Sequence, residues 1–186
     1  MVFKGIRKVH GGEFISRYDI EYETKGGRRK VYEMISRDPH VNSLESLQKK
    51  DIDAVVMIVH DRKGEKLLLN REFRLAVGDW VYNFPAGLIN EGETPQEAAA
   101  RELFEETGLT LVSIDEVWAP SYSAVGFSNE KNTVLLCTAE GDIGESDSEA
   151  EEIEARWFTK SELSKLLKTE IFAARTQAYC MKWAVG

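Results

Sequence analysis

The chain has 186 residues, 24 Lys and Arg against 32 Asp and Glu, a formal charge of −8 at pH 7 and a hydrophobic content of 42%. That is enough for one domain with a sizeable core and a small appendage, of the soluble globular class. The acidic balance, with Arg28-Arg29-Lys30 as the one basic tract, argues against a nucleic-acid partner. No apolar run approaches the roughly 20 residues that span a bilayer, and no leader opens the chain, so the expectation is a cytoplasmic protein with no membrane partner.

In chain order, residues 1–50 read as an N-terminal antiparallel β-hairpin region. Phe14–Thr24 and Arg28–Arg37 flank a turn at Lys25-Gly26-Gly27, and Tyr18, Ile20 and Tyr22 alternate with polar residues. Asp38-Pro39 breaks the run, and Val41–Lys50 is a polar connector or a short helix. Residues 51–186 form the main domain. It opens with a buried strand at Ile52–Val59, a turn at Asp61–Gly64 and strands at Lys66–Asn70 and Val81–Ala86. A helix beginning near Pro95 leads to strands near Leu111–Tyr122 and Asn132–Ala139. Ile153–Phe158 closes the sheet, Thr159 caps a helix over Lys160–Lys168, and Arg175–Ala184 is the last helix. The class is α+β, a mixed sheet flanked by helices as an α/β/α sandwich. Cys137 and Cys180 read as buried thiols without disulfide or metal role. His10, His40 and His60 are scattered and offer neither triad nor zinc spacing.

Residues 87–109, GLINEGETPQEAAARELFEETGL, carry the chemistry. Thr94-Pro95-Gln96-Glu97 is a capping box with Pro at the first helical position, and Gly108 stands where a left-handed cap belongs. On the helix, Glu102 and Glu106 are i,i+4 and Glu102 and Glu105 are i,i+3, so three carboxylates share one side with Arg101 as the one basic neighbour. Each like-charge pair at that spacing costs about 0.2–0.5 kcal/mol, and the last turn of a helix disfavours anions. A divalent cation is the simplest physical reason for such crowding. Mg²⁺, which takes oxygen ligands and keeps waters, fits best, with Mn²⁺ as the alternative.

The spacing is Gly87, five residues, Glu93, seven residues, Arg101-Glu102-Leu103, one residue, Glu105-Glu106, one residue, Gly108-Leu109. It resembles the Nudix box of Nudix hydrolases at every specified position. Asn70-Arg71-Glu72-Phe73-Arg74 and Tyr82–Ile89 are similar to the approach to the box in ADP-ribose pyrophosphatase-like members. The resemblance implies a Nudix fold, metal ligation by Glu102, Glu105, Glu106 and the Ala86 carbonyl, and catalytic roles for Glu105 and for Arg101 as orienter of the carboxylates. Glu93 reads as an orienting group. Arg74 matches the phosphate-binding Arg of that subgroup, with Arg71 as second choice. The N-terminal strands would help build a homodimer.

The general base of that subgroup lies in a loop before a late strand, which Glu145–Glu152 matches here; by register Glu151 is favoured, with Glu149 and Glu152 behind it. The implied reaction is Mg²⁺-dependent hydrolysis of a nucleoside diphosphate sugar, ADP-ribose first, to nucleoside monophosphate and sugar phosphate. One departure touches the substrate. The Ser123–Glu130 loop keeps the Gly and the Glu of the subgroup but has Val125 where a Pro is expected, and neither Pro120 nor Tyr122 is in register. Hydrolysis of dinucleoside polyphosphates or nucleoside triphosphates, and a non-catalytic nucleotide-sugar sensor, stand as alternatives.

Overall fold

The computed structural model describes residues 1–48, 51–144, 146 and 152–185. Its elements are β1 (Val2–Gly11), β2 (Ser16–Glu23), β3 (Arg29–Ser36), α1 (Leu44–Leu47), β4 (Ala54–His60), β5 (Lys66–Arg74), β6 (Asp79–Asn83) and β7 (Ala86–Leu88). They are followed by α2 (Pro95–Thr107), β8 (Thr110–Val117), β9 (Ser121–Tyr122), β10 (Lys131–Glu140), β11 (Ile153–Thr159), α3 (Lys160–Leu166) and α4 (Ala174–Val185). Two compact units emerge, Met1–Asp53 with Pro120–Asn132, and Ala54–Ala119 with Thr133–Gly186.

The first unit is built on the antiparallel sheet β1-β2-β3. The hairpin expected around Gly26-Gly27 is β2–β3, closed by the Gly27 N–H donating to Thr24 O at 3.0 Å. Tyr18 and Met34 face each other across it and, with Val41, form a small core; the Tyr18 hydroxyl donates to Asp38 O at 2.8 Å. A third strand, β1, joins on the β2 side. Its register slips between Phe3 and Gly5 and between Lys8 and His10. Such irregularities break the two-residue alternation, which is why the strand does not stand out in the sequence. Residues 120–132 belong here too: β9 pairs with the first two residues of β10, and Ile35 N–H donates to Phe127 O at 2.8 Å.

The second unit holds a large mixed sheet of order β11-β5-β4-β10-β8, with β6 on β5 and β7 on β4. The unbroken apolar run Ala54–Val59 is explained by burial on both sides. Val55, Met57 and Val59 pack with Ala98, Ala99 and Leu103 of α2, whereas Val56 and Ile58 pack with Leu163 of α3 and Cys180 of α4. β5 is divided the same way, Leu68 toward α2 and Leu67 and Leu69 toward α3 and α4. Each fully buried leucine contributes about 1.5–3 kcal/mol relative to exposure, so the sheet is clamped between helical layers. This is the expected α+β sandwich. The two cysteines lie in different clusters, and burial pushes both thiols up to about 12, so they are unreactive packing residues. No described helix is long and apolar enough to cross a membrane.

Candidate active site

Helix α2 starts and stops as its sequence dictates. Thr94 accepts from Glu97 N–H, Glu97 accepts from Thr94 N–H at 2.8 Å, and Pro95 occupies the first turn. At the other end Gly108 is left-handed, φ 72°, and its N–H donates to Phe104 O. Apolar Ala98, Ala99 and Leu103 hold the helix on the sheet, which fixes where its carboxylates emerge.

Those carboxylates are gathered by Arg101. Its Nε and Nη2 donate to the two oxygens of Glu93, both at 2.9 Å, and its Nη1 donates to Glu102 at 2.8 Å and to Glu105 at 3.0 Å. Nη2 also reaches the Leu88 carbonyl at 3.0 Å, tying the helix to β7. The planar guanidinium suits this forked role in a way a lysine does not. Its hydrogen bond to Glu93 holds that carboxyl at about 2, well below the usual range, while burial pushes the Glu102 carboxyl up against the pull of Arg101. Glu93 binds fewer protons in the folded chain than unfolded between its ordinary 4.5 and about 2, so its stabilisation is present above 4.5 and is lost as pH falls through that window. Glu102 has the opposite sign. Glu93→Gln is therefore expected to flatten the acid limb of Tm against pH relative to wild type; parallel curves for the two proteins would contradict the clasp.

Gly87 completes the seat. It lies on β7 opposite Val55, and an added Cβ there would fall well inside van der Waals contact with the Glu102 carboxyl carbon and both oxygens. The backbone of β7 thus supports Glu102 directly. Glu106 is enclosed further along the helix at 7% exposure, and its Oε2 accepts from the Asn70 Nδ2 at 2.9 Å. Asn70, Glu72 and Arg74 alternate along the β5 face turned toward α2. Glu72 is 4% exposed, and Arg74 Nη1 lies 3.3 Å from its Oε2.

Of the residues singled out in the sequence, the structure brings Glu93, Arg101, Glu102 and Glu105 into one cluster, with Glu106 a turn away and Ala86 on β7 beside Gly87. Arg74 lies on the same face of β5 as the Glu106 partner. Arg71 points to the other face, ion-paired with Glu154 at 3.1 Å and stacked over Trp80 at 4.4 Å. Glu149 and Glu151 lie outside the described residues. Glu152 is described: its carbonyl accepts from Phe73 N–H at 3.1 Å, and the next residue, Ile153, stands opposite Glu72. Asn70 and Glu72 were not singled out in the sequence. Their signal was there in the parity of β5, since both share the face of buried Leu68.

Carboxylates and backbone carbonyls are the hard oxygen donors that Mg²⁺ takes. The raised Glu102 carboxyl, cradled on Gly87, is an enclosed anion that a cation would relieve. Among the described residues no three His, Cys, Asp or Glu side chains converge as they stand on a point that could hold a metal ion. Glu102 and Glu105 are turned to Arg101, so binding would require rotation of their side chains.

The sandwich and its arginine-clasped acidic helix place the protein among hydrolases built on a strand–loop–acidic-helix unit. A family model, the NUDIX domain, matches residues 50–180, and the chain belongs to that family. It is similar to an ADP-ribose pyrophosphatase of Bacillus subtilis, 27% identical over 180 residues that cover 95% of this chain and 88% of the relative. An ADP-sugar pyrophosphatase of Mus musculus is 30% identical over 72% of this chain and 59% of its own length. A nudix hydrolase of Caenorhabditis elegans is 28% identical over 75% of this chain and 61% of its own. The chain thus spans about three fifths of the length of the mouse and nematode relatives. Among solved structures, an ADP compounds hydrolase has the same fold, with a TM-score of 0.69 at 18% identity over 98% of this chain and 92% of that one.

Proposed function

We propose that the protein hydrolyses the pyrophosphate bond of a nucleoside diphosphate sugar, ADP-ribose first, in a Mg²⁺-dependent reaction giving nucleoside monophosphate and sugar phosphate. The observation that carries this reading is the collection of Glu93, Glu102 and Glu105 on Arg101, with buried Glu106 on the same helix. The substrate class is supported by the names of the Bacillus subtilis and mouse relatives.

In this reading Glu102, Glu105, Glu106 and the Ala86 carbonyl would hold the ion, which supplies charge neutralisation at the pyrophosphate and an activated water. Arg101 gathers Glu102 and Glu105 beside the ion site while Glu93, held charged by the same guanidinium, locks Arg101 in place. Arg74, steadied by Glu72, is the phosphate anchor, with Arg71 as second choice. The general base comes from the stretch before β11, with Glu151 favoured over Glu149 and Glu152. Residues 1–50 form the N-terminal β region of a homodimer and residues 51–186 the hydrolase domain.

The test is product analysis by ion-exchange chromatography, with Mg²⁺, with Mn²⁺ and with EDTA, over nucleotide sugars, dinucleoside polyphosphates and nucleoside triphosphates. The expected result is ADP-ribose conversion to AMP and ribose phosphate, abolished by EDTA and restored by Mg²⁺. Turnover confined to dinucleoside polyphosphates or triphosphates would replace the substrate. Binding of ADP-ribose without turnover of any compound would make the protein a sensor and sink the enzymatic reading.

A further inference from the structure

β5 is buried on both faces among leucines, yet at Asn70 it carries an amide where an apolar side chain would pack. Asn70 is 0% exposed, as are Leu67, Leu68 and Leu69 before it. A buried amide is costly unless its polar atoms are paired. Only the donor side of Asn70 is served: Nδ2 donates to Glu106 Oε2 at 2.9 Å, whereas Oδ1 has no hydrogen-bond partner among the described residues. With Nδ2 turned to Glu106 Oε2 the pair is donor to acceptor, whereas the reverse amide orientation would set Oδ1 against a carboxylate oxygen. The strand therefore keeps a half-satisfied amide in an apolar layer for one bond to a carboxylate of α2. Packing alone does not account for that, since a leucine or valine would fill the position without an orphaned oxygen.

We propose that Asn70 is a positioning residue for the cation site, holding the Glu106 carboxylate in the rotation in which it meets the ion. This rests on the reading of Glu106 as a metal ligand. A carboxylate ligand is steadied by its own hydrogen-bond partner, and loss of such a partner typically costs about 10–100-fold in metal affinity or activity. The bond ties β5 to the last turn of α2 and so helps to set where along the strand that turn presents its charge.

The experiment uses the full chain and two readouts, Mn²⁺ binding by electron paramagnetic resonance titration without substrate, and the Mg²⁺ dependence of ADP-ribose hydrolysis. Asn70→Leu is expected to stay folded with a lower Tm, since the enclosed Glu106 loses the Asn70 donor, to weaken Mn²⁺ binding about 10–100-fold and to raise the half-activating Mg²⁺ concentration in proportion. KM for ADP-ribose at saturating Mg²⁺ should stay within a few-fold. Should Leu not fit, the smaller Asn70→Val carries the same expectation. In a Glu106→Ala background the Asn70 change should add no further loss of Mn²⁺ affinity, because the group it positions is gone. Wild-type Mn²⁺ affinity in a folded Asn70→Leu or Asn70→Val protein overturns the proposal, as does an equal loss in both backgrounds or a wild type that binds no Mn²⁺. A wild type that binds Mn²⁺ with the expected Asn70 dependence but hydrolyses no nucleotide sugar sinks the substrate reading and leaves the positioning role standing.

Discussion

Glu106→Gln is expected to lower kcat for ADP-ribose by on the order of 10²–10³-fold without lowering Tm. A bound divalent ion is worth several kcal/mol of transition-state charge stabilisation, and each 1.36 kcal/mol is about tenfold in rate. With Glu106 as the proposed ligand, replacing the anion by a neutral group forfeits much of that. The fold should tolerate the change for a reason visible at the site. Glu106 is 7% exposed, and its Oε2 accepts from the Asn70 amide. The Gln carboxamide keeps the volume and still offers an oxygen to that donor, and a neutral group is easier to enclose than a charge. Steady-state kinetics at several Mg²⁺ concentrations and a melting curve check both halves. Activity within a few-fold of wild type would remove Glu106 from the metal site. A collapsed Tm would mean that the charge is structural.

The box helix was legible residue by residue because its signals are local. Thr94, Pro95, Glu97 and Gly108 act within one helical turn of themselves, and all four do in the structure what their positions predict. The apolar runs of β4 and β5 announced burial but not its division between two faces, which depends on which helix covers each side. What stayed hidden depends on partners far away in sequence. Asn70 meets Glu106 across 36 positions, Glu102 rests on a glycine fifteen residues earlier, and Ile35 bonds to Phe127. β1 was obscured by its own bulges. The motif favoured Arg74 as the phosphate anchor over Arg71. The pleat separates them, putting Arg74 on the face of Asn70 and Glu72 and Arg71 against Trp80 and Glu154. Val125 sits in a loop whose Phe127 carbonyl accepts from the Ile35 N–H of β3, and at 78% exposure its side chain is not needed for packing.

Gly87→Ala is expected to cost on the order of 10²-fold in activity, since misplacing a reacting group by about 1 Å is worth that much. The reason is a contact rather than a backbone angle. The added methyl would occupy the space of the Glu102 carboxyl group, so one of two things must yield. β7 could lift from β4, but that strand pairs Ala86, Gly87 and Leu88 with Val56, Val55 and Ala54, and both valines are core residues. The end of the Glu102 side chain is the cheaper to move. Once displaced, it loses its 2.8 Å bond to Arg101, leaving the guanidinium to Glu93, Glu105 and the Leu88 carbonyl. The fold should therefore survive while the carboxylate array is disarranged. A cycle with Glu102→Ala decides it. If the methyl acts by evicting Glu102, then Gly87→Ala added to Glu102→Ala should bring no further loss of activity and should recover part of the Tm lost in the single glycine variant. Additive losses in the cycle would mean that the glycine is required by β7 itself, and that the acidic helix takes its arrangement from Arg101 alone.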